Sequence, residues 1–200
     1  LRVIPIAILC GGKGTRLAPL TDELPKSLVD VNGEPFIAHQ LRLLQRKGAT
    51  YVVLLTGHLG AMIHDVVGDG SRFGLRVDYS ADPDGDGPCG TGTAVRHALH
   101  LLGDRFFTLY GDSYLDCNYV LIEKFFLLNR MNVATWFETM DYGLNAFLAE
   151  DLRALRYADL PDVFARLRAM DRLLYYPMPT RFEEIGSHNG LKRVRHALAV

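Results

Sequence analysis

The sequence predicts an α/β fold: a mainly parallel, mixed sheet flanked by helices, Rossmann-like in its winding. Three observations carry this. Apolar runs of strand length recur at residues 3–9, 51–55 and 106–110. Segments with apolar residues at helical spacing separate them. Each run also stops in glycine or short polar residues, and the intervals are long enough for a right-handed crossover helix.

Residues 3–9 are apolar throughout and read as a strand buried on both faces. Gly11-Gly12-Lys13-Gly14-Thr15-Arg16 follows, and Pro25-Lys26 completes the opening stretch ten residues after Arg16. Glycines contribute nothing to strand propensity, but they accept positive φ and let a ligand approach the main chain. With Lys13, Arg16 and Lys26 alongside, they predict an anion held by backbone N–H groups and cations. Residues 27–31 read as extended, Asn32-Gly33 as a turn, and Pro35 as the first-turn residue of a helix. Phe36, Ile37, Leu41 and Leu44 give that helix its apolar face, and Gly48 stops it.

Residues 51–55 form the second strand, ended by Thr56-Gly57-His58, and 59–67 a helix closed by Gly68-Asp69-Gly70. The alternation at 75–79 predicts a third strand. A polar loop over 81–90 leads into Thr91-Gly92-Thr93 and a helix through Leu102. The fourth strand, 106–110, stops at Gly111-Asp112-Ser113. The second half is less regular: a helix at 119–128, strands at 133–137 and 144–148, an amphipathic helix at 160–170, a strand at 181–185 and a last helix capped by Ser187. With no repeat, low-complexity tract or linker, residues 1–200 read as a single domain.

Composition excludes several classes. Apolar residues make up 48% and charged residues 22%, as in folded soluble proteins. A net charge of −1 argues against a general nucleic-acid binder. No apolar run reaches the length of a membrane span. Cys10, Cys89 and Cys117 are odd in number and scattered, which suggests a reducing, cytoplasmic compartment and neither a disulfide framework nor a zinc site. Cys10 reads as a small buried thiol.

In a parallel sheet of this kind, ligands bind beyond the carboxyl ends of the strands. The glycine loop, Thr56-Gly57-His58 and Gly111-Asp112 all follow strands and belong to that edge. Gly90-Thr91-Gly92 instead opens a helix, where free N–H groups favour an anion or a carbonyl. Two familiar phosphate motifs fail. A Walker A loop needs Lys followed by Ser or Thr, and Lys13 is followed by Gly14. A dinucleotide fingerprint needs a third glycine where Leu17 stands.

Leu9-Cys10-Gly11-Gly12-Lys13-Gly14-Thr15-Arg16-Leu17, with Pro19-Leu20-Thr21, Pro25-Lys26 and Val31-Asn32-Gly33-Glu34-Pro35, closely resembles the signature of sugar-1-phosphate nucleotidyltransferases, the NDP-sugar pyrophosphorylases. Within that family it is most similar in style to short bacterial enzymes such as the mannose- and heptose-1-phosphate guanylyltransferases. Gly90-Thr91-Gly92 resembles the second nucleotide-binding turn, with Thr93 where a smaller residue is common. Leu109-Tyr110-Gly111-Asp112 resembles the strand end whose Asp binds Mg²⁺. Phe182-Glu183-Glu184-Ile185-Gly186-Ser187 resembles the segment supplying a second metal ligand, with Glu184 where Asp is usual.

The resemblance implies a glycosyltransferase-A-like nucleotidyltransferase of EC 2.7.7 type. Its nucleotide-binding half would cover about residues 1–115 and its sugar-phosphate half about 116–200. A sugar 1-phosphate attacks the α-phosphate of a nucleoside triphosphate and pyrophosphate leaves; the attacking oxygen is already anionic, so no general base is required. The implied nucleotide-binding residues are Leu9, Gly11, Gly12, Lys13, Gly14, Thr15, Arg16, Gly90, Thr91 and Gly92. Arg16, Lys26 and Asp112 would carry catalysis, and Asp112 with Glu184 would hold the metal. Lys13 binds triphosphate or is a solvated loop lysine, and Asp112 taken alone could be a helix N-cap. His58 reads as structural rather than as a nucleotide contact, Glu183 as solvated or paired, the aromatic residues of 119–126 as core, and Lys192, Arg193, Arg195 and His196 as an exposed helix face.

GTP with a mannose or heptose 1-phosphate is the first expectation for substrates. Uridylyl, thymidylyl and cytidylyl transfer to hexose 1-phosphates stay open, as does homo-oligomerisation; neither nucleic acid nor membrane is expected as a partner. A non-catalytic regulatory or sugar-nucleotide-sensing subunit is the rival reading, disfavoured because Arg16, Lys26 and Asp112 are all present. Members of the family usually carry a polar, lysine-bearing loop between the strand ending near Phe137-Glu138 and the next. Here Glu138-Thr139-Met140-Asp141 runs straight on, which predicts either a shortened acceptor site or, as the favoured reading, a loop missing at that point. No hexapeptide-repeat array is present, so these residues read as the transferase domain alone.

Overall fold

The computed structural model describes residues 3–83, 89–156 and 158–199. The chain runs through β1 (Ile6–Leu9), β2 (Asp30–Val31), β3 (Glu34–Pro35), α1 (Phe36–Arg46), β4 (Tyr51–Thr56), α2 (Gly60–Val67) and β5 (Arg76–Ala81). It continues with α3 (Thr91–His97), α4 (Leu99–Leu102), β6 (Arg105–Tyr110), β7 (Ser113–Tyr114), α5 (Tyr119–Asn129), β8 (Asn132–Phe137) and β9 (Met140–Leu148). α6 (Ala149–Ala154), α7 (Leu160–Ala169), β10 (Leu173–Pro177), β11 (Glu183–Glu184) and α8 (His188–Ala197) complete it. Residues 84–88 of the polar loop expected over 81–90 lie outside the described residues.

The main sheet has seven strands in the order β10-β8-β9-β6-β1-β4-β5. β1 lies between β4 and β6 and is parallel to both, and β4 is parallel to β5. β9 runs antiparallel to both β6 and β8, while β10 is parallel to β8. The mainly parallel, mixed sheet expected from the alternation is therefore what forms.

Alternating side chains split the core into two layers. Ile6, Ile8, Val52 and Leu54 face α1 and α2 through Ile37, Leu41, Leu44 and Ile63. Ala7, Val53 and Leu55 face the other way, towards Val95 of α3 and Leu160, Val163 and Leu167 of α7. A third, smaller cluster joins Leu17, Val29, Val31 and Phe36 to Ile185, Leu191 and Val194, and so docks α8 against the segment following the glycine loop. Ser187 caps α8 as expected, its hydroxyl accepting from the Gly190 N–H at 3.1 Å.

Several details differ from the sequence-based expectations, among them an additional helix α6 and a 3-10 turn over Lys26–Leu28 where 27–31 was expected to be extended. The helix expected through Leu102 breaks at Ala98, whose φ of −79° and ψ of −3° separate α3 from α4. The strand expected over 181–185 pairs only at Glu183 and Glu184. β10 had no counterpart in the expectations; it occupies the sheet edge, where Pro177 needs no N–H partner. Finally, Phe137 pairs directly with Met140, and Glu138 (φ 53°) and Thr139 form a two-residue turn. The chain closes there as a tight hairpin, so the geometry requires no additional segment, and no lysine stands between β8 and β9.

Candidate active site

The carboxyl ends of β1, β4 and β6 open onto one cleft of about 270 Å³. Leu9, Gly11, Gly12, Gly14, Lys26, Gly90, Thr91 and Asp112 of the expected site line it. Lys13, Thr15 and Arg16 are exposed on the loop beside it, and Gly92 is buried behind it in α3.

Two glycines are dictated by contacts. Gly111 donates its N–H to Leu9 O at 3.0 Å, and a Cβ there would lie 2.5 Å from that same oxygen. Only glycine lets β6 turn so closely over the end of β1. Gly14 has φ of 67°; its carbonyl accepts from Leu17 N at 2.8 Å and from Thr21 Oγ1 at 2.9 Å. A Cβ at Gly14 would stand 3.0 Å from Lys26 Cβ, so the loop is folded directly onto the Lys26 stem.

Lys26 Nζ contacts Asp112 Oδ2, and both side chains are mostly buried, at 17% and 20% exposure. Asp112 Oδ1 accepts from the Ser113 hydroxyl, at 3.3 Å. The Asp112 carbonyl accepts from Ile185 N at 2.8 Å, and Glu184 is the register partner of Ser113. Asp112 thus sits in the turn just before β7, and Glu184 on β11, the strand paired with β7. Glu184 Oε2 and Arg16 Nη2 both crowd Gly186, where a Cβ would lie 2.8 and 3.2 Å from them.

Asp112 lines the cleft and Glu184 does not, so Mg²⁺ there would find one carboxylate of the expected pair. No group of three or more His, Cys, Asp or Glu side chains that could hold a metal occurs among the described residues. Mg²⁺ takes one or two protein carboxylates and completes its shell with water and phosphate oxygens. Asp112 already meets a cation, the Lys26 ammonium.

The N-terminus of α3 departs from expectation. Thr91 N donates to Asp159 Oδ1 at 3.0 Å, while Gly92 N and Thr93 N donate to Ala158 O at 2.7 and 3.0 Å. The Thr91 and Gly92 N–H groups, expected to meet a nucleotide, are satisfied within the chain. A residue 68 positions from Thr91 supplies the acceptor, and no local pattern at 90–92 announces it. Gly90, with φ of 85°, passes so close that a Cβ would lie 2.5 Å from Ala158 O.

Several cleft residues were not assigned to the site from the sequence, among them Ser27, Leu55, Asp82, Ala94 and Asp159. Asp82 was findable as the acid just past the end of β5. Its carboxylate sits where a Cβ on Gly57 would be, 2.5 Å from that position. Tyr110 donates to Asp141 Oδ2 at 2.9 Å, and Asp141 Oδ1 accepts from Gly143 N at 2.8 Å. Burial nevertheless holds the Asp141 carboxyl above its usual range. Burial also pushes the Cys10 thiol up to about 12, with the nearby Asp112 charge adding to it, so Cys10 is the inert thiol expected. Glu183 pairs with Arg193 at 3.1 Å, and Tyr119, Ile122 and Phe126 are core.

A family model described as nucleotidyl transferase matches residues 6–135. The chain belongs to the nucleotidyl transferase family. Among curated relatives, it is 40% identical over 113 residues to the N-acetylmuramate alpha-1-phosphate uridylyltransferase of Neisseria meningitidis, covering 56% of this chain and 48% of that protein. It is 31% identical over 162 residues to the mannose-1-phosphate guanyltransferase beta-B of Xenopus laevis, covering 78% and 45%. With the D-glycero-alpha-D-manno-heptose 1-phosphate guanylyltransferase of Campylobacter jejuni it shares 30% over 109 residues, covering 54% and 48%. The chain spans about half the length of the curated relatives it matches. The nucleotidyl transferase fold itself recurs in HddC from Yersinia pseudotuberculosis, with a TM-score of 0.80, 18% identity and coverage of 97% of this chain and 99% of that one. It recurs also in the UDP-glucose pyrophosphorylase from Acinetobacter baumanii, with a TM-score of 0.79, 17% identity and coverage of 96% and 92%. No helix among the described residues is long and apolar enough to cross a membrane.

Proposed function

We propose that this chain transfers a nucleotidyl group from a nucleoside triphosphate to a sugar 1-phosphate, releasing pyrophosphate, in a Mg²⁺-dependent reaction. The observation that carries the proposal is the Lys26–Asp112 contact at the mouth of a glycine loop folded onto the lysine stem. A cation and a metal-binding carboxylate side by side suit a reaction whose difficulty is charge, not proton transfer.

The main chain of residues 11–15 holds the β- and γ-phosphates, and Arg16 offers its fork of donors to the leaving pyrophosphate. Lys26 lies between the α-phosphate and the incoming sugar phosphate, where negative charge crowds as the new P–O bond forms. Leu9, Leu55 and Ala94 give the cleft an apolar wall for the base. Asp112 and Glu184 would hold Mg²⁺, which when bound neutralises phosphate oxygens and lowers the repulsion between two polyanions.

The favoured substrates are GTP with mannose or heptose 1-phosphate, in line with the names of several relatives. Uridylyl transfer is the second reading, because the 40% identical relative is a uridylyltransferase. A regulatory, non-catalytic role draws support from one feature, the β8–β9 hairpin that leaves no room for a lysine-bearing loop. A matrix of the four ribonucleoside triphosphates and dTTP against several sugar 1-phosphates, read by pyrophosphate release with Mg²⁺, separates these. Turnover with GTP is the expected result. Turnover only with UTP transfers the assignment to the second reading, and none in any pairing favours the regulatory one.

A further inference from the structure

Helix α1 presents Ile37, Leu41 and Leu44 to the sheet, and Gln40 lies within that apolar stripe at 1% exposure. A glutamine loses its water there, and the loss is compensated only if its amide finds partners. Its Nε2 finds two. It donates to Tyr110 O at 3.0 Å and to Ser113 O at 2.8 Å. Both partners are carbonyls, so the nitrogen must be the end that faces them, and its two hydrogens match two acceptors.

Those carbonyls bracket Gly111-Asp112, the turn that carries the Asp112 carboxylate into the cleft. Gln40 Oε1, by contrast, is buried with no hydrogen-bond partner among the described residues. A residue kept for core stability alone would be apolar, like its neighbours, or satisfied at both ends. Here one end is left bare and the other is spent wholly on the turn.

We infer that Gln40 is a positioning residue: by tying the carbonyls on either side of Gly111-Asp112 to α1, it fixes the Asp112 carboxylate where a divalent cation is bound. The inference rests on the reading of Asp112 as a metal ligand. Gly111 N and the Asp112 carbonyl are anchored to Leu9 and Ile185, and Gln40 adds two further restraints on the turn. Groups that orient a ligand in this way typically change metal affinity 10–100-fold when removed.

The test measures Mn²⁺ binding directly, by titrating the full chain and following the electron paramagnetic resonance signal of the free ion. Gln40→Met keeps volume and removes both donors, and its Mn²⁺ dissociation constant should rise about tenfold. The Mg²⁺ concentration for half-maximal pyrophosphate release should rise by a similar factor. Gln40→His keeps a single ring N–H and should fall between. Wild-type Mn²⁺ affinity in folded Gln40→Met overturns the inference; should that variant not fold, wild-type affinity in Gln40→His overturns it equally. Asp112→Asn must abolish the binding, and if it binds Mn²⁺ normally the inference falls with the ligand assignment. The Mn²⁺ measurement involves no turnover, so an empty substrate matrix leaves it intact, while unchanged Mn²⁺ binding in an active enzyme rejects Gln40 alone.

Discussion

Lys26 and Asp112 are each mostly removed from water, and each is tolerated because the other is present. Removing one leaves the other partly desolvated and unpaired, which costs about 1–3 kcal/mol. The functional loss should be much larger. Asp112→Asn and Lys26→Ala are each expected to lower turnover by at least about 100-fold while far-ultraviolet circular dichroism stays native; near-normal rates in either would remove that residue from the mechanism. Gly14→Ala acts on the same pair through the backbone. Its φ of 67° is unfavourable for alanine, and the new Cβ would press on Lys26 Cβ at 3.0 Å. A loss of about 1–2 kcal/mol in urea unfolding is expected. These residues were legible because glycine, lysine and aspartate stand out in an apolar context. Asp159 and Gln40 were not, since their roles consist of contacts with distant segments.

The element that diverges most from its local pattern is α3. Its start, Gly90-Thr91-Gly92, has the composition of an anion-binding turn, yet Ala158 and Asp159 take up its N–H groups, and Thr91 Oγ1 in return accepts from Leu160 N at 2.9 Å. Two helix N-termini thereby cap each other, so α3 and α7 are locked together at the edge of the cleft. Asp159→Ala should cost about 1 kcal/mol and lower Tm by about 2–4 °C, measurable by differential scanning calorimetry. An unchanged Tm would mean that Ala158 alone holds the junction. The β8–β9 hairpin shows the opposite situation. The strands on both sides were readable from their apolar residues, but the turn was not, because Glu138-Thr139 has no glycine or asparagine to announce a positive φ.

For the molecule as a whole, Asp141 contributes to the pH dependence of stability. Burial raises its carboxyl despite the hydrogen bonds from Gly143, Tyr110 and Asn145 that favour the anion. The folded protein then holds that proton at a pH where the unfolded chain, titrating near 3.8, has released it. In this window the unfolded state binds fewer protons, so the group's contribution to stability is fully present below pH 3.8 and declines as pH rises through the folded value. Asp141→Asn removes the titration. The stability of wild type relative to this variant, from urea unfolding at successive pH values, should fall as pH increases from 4. A flat difference would show that the hydrogen bonds fully offset burial.

The strand–helix alternation, the cleft at the carboxyl edge and the cations of the glycine loop were all determined by the sequence itself. They depend on apolar periodicity and on residues whose backbone or charge preferences act within a few positions. Only the tertiary structure decided that Lys26 meets Asp112 across 86 positions, that Glu184 lies across from Ser113, and that Asp159 occupies the start of α3. It alone set Gln40 beneath the Asp112 turn. Each of these pairings arises because sheet order and helix docking bring remote segments to one edge, and hydrogen bonds of that range leave no periodic trace in the chain that makes them.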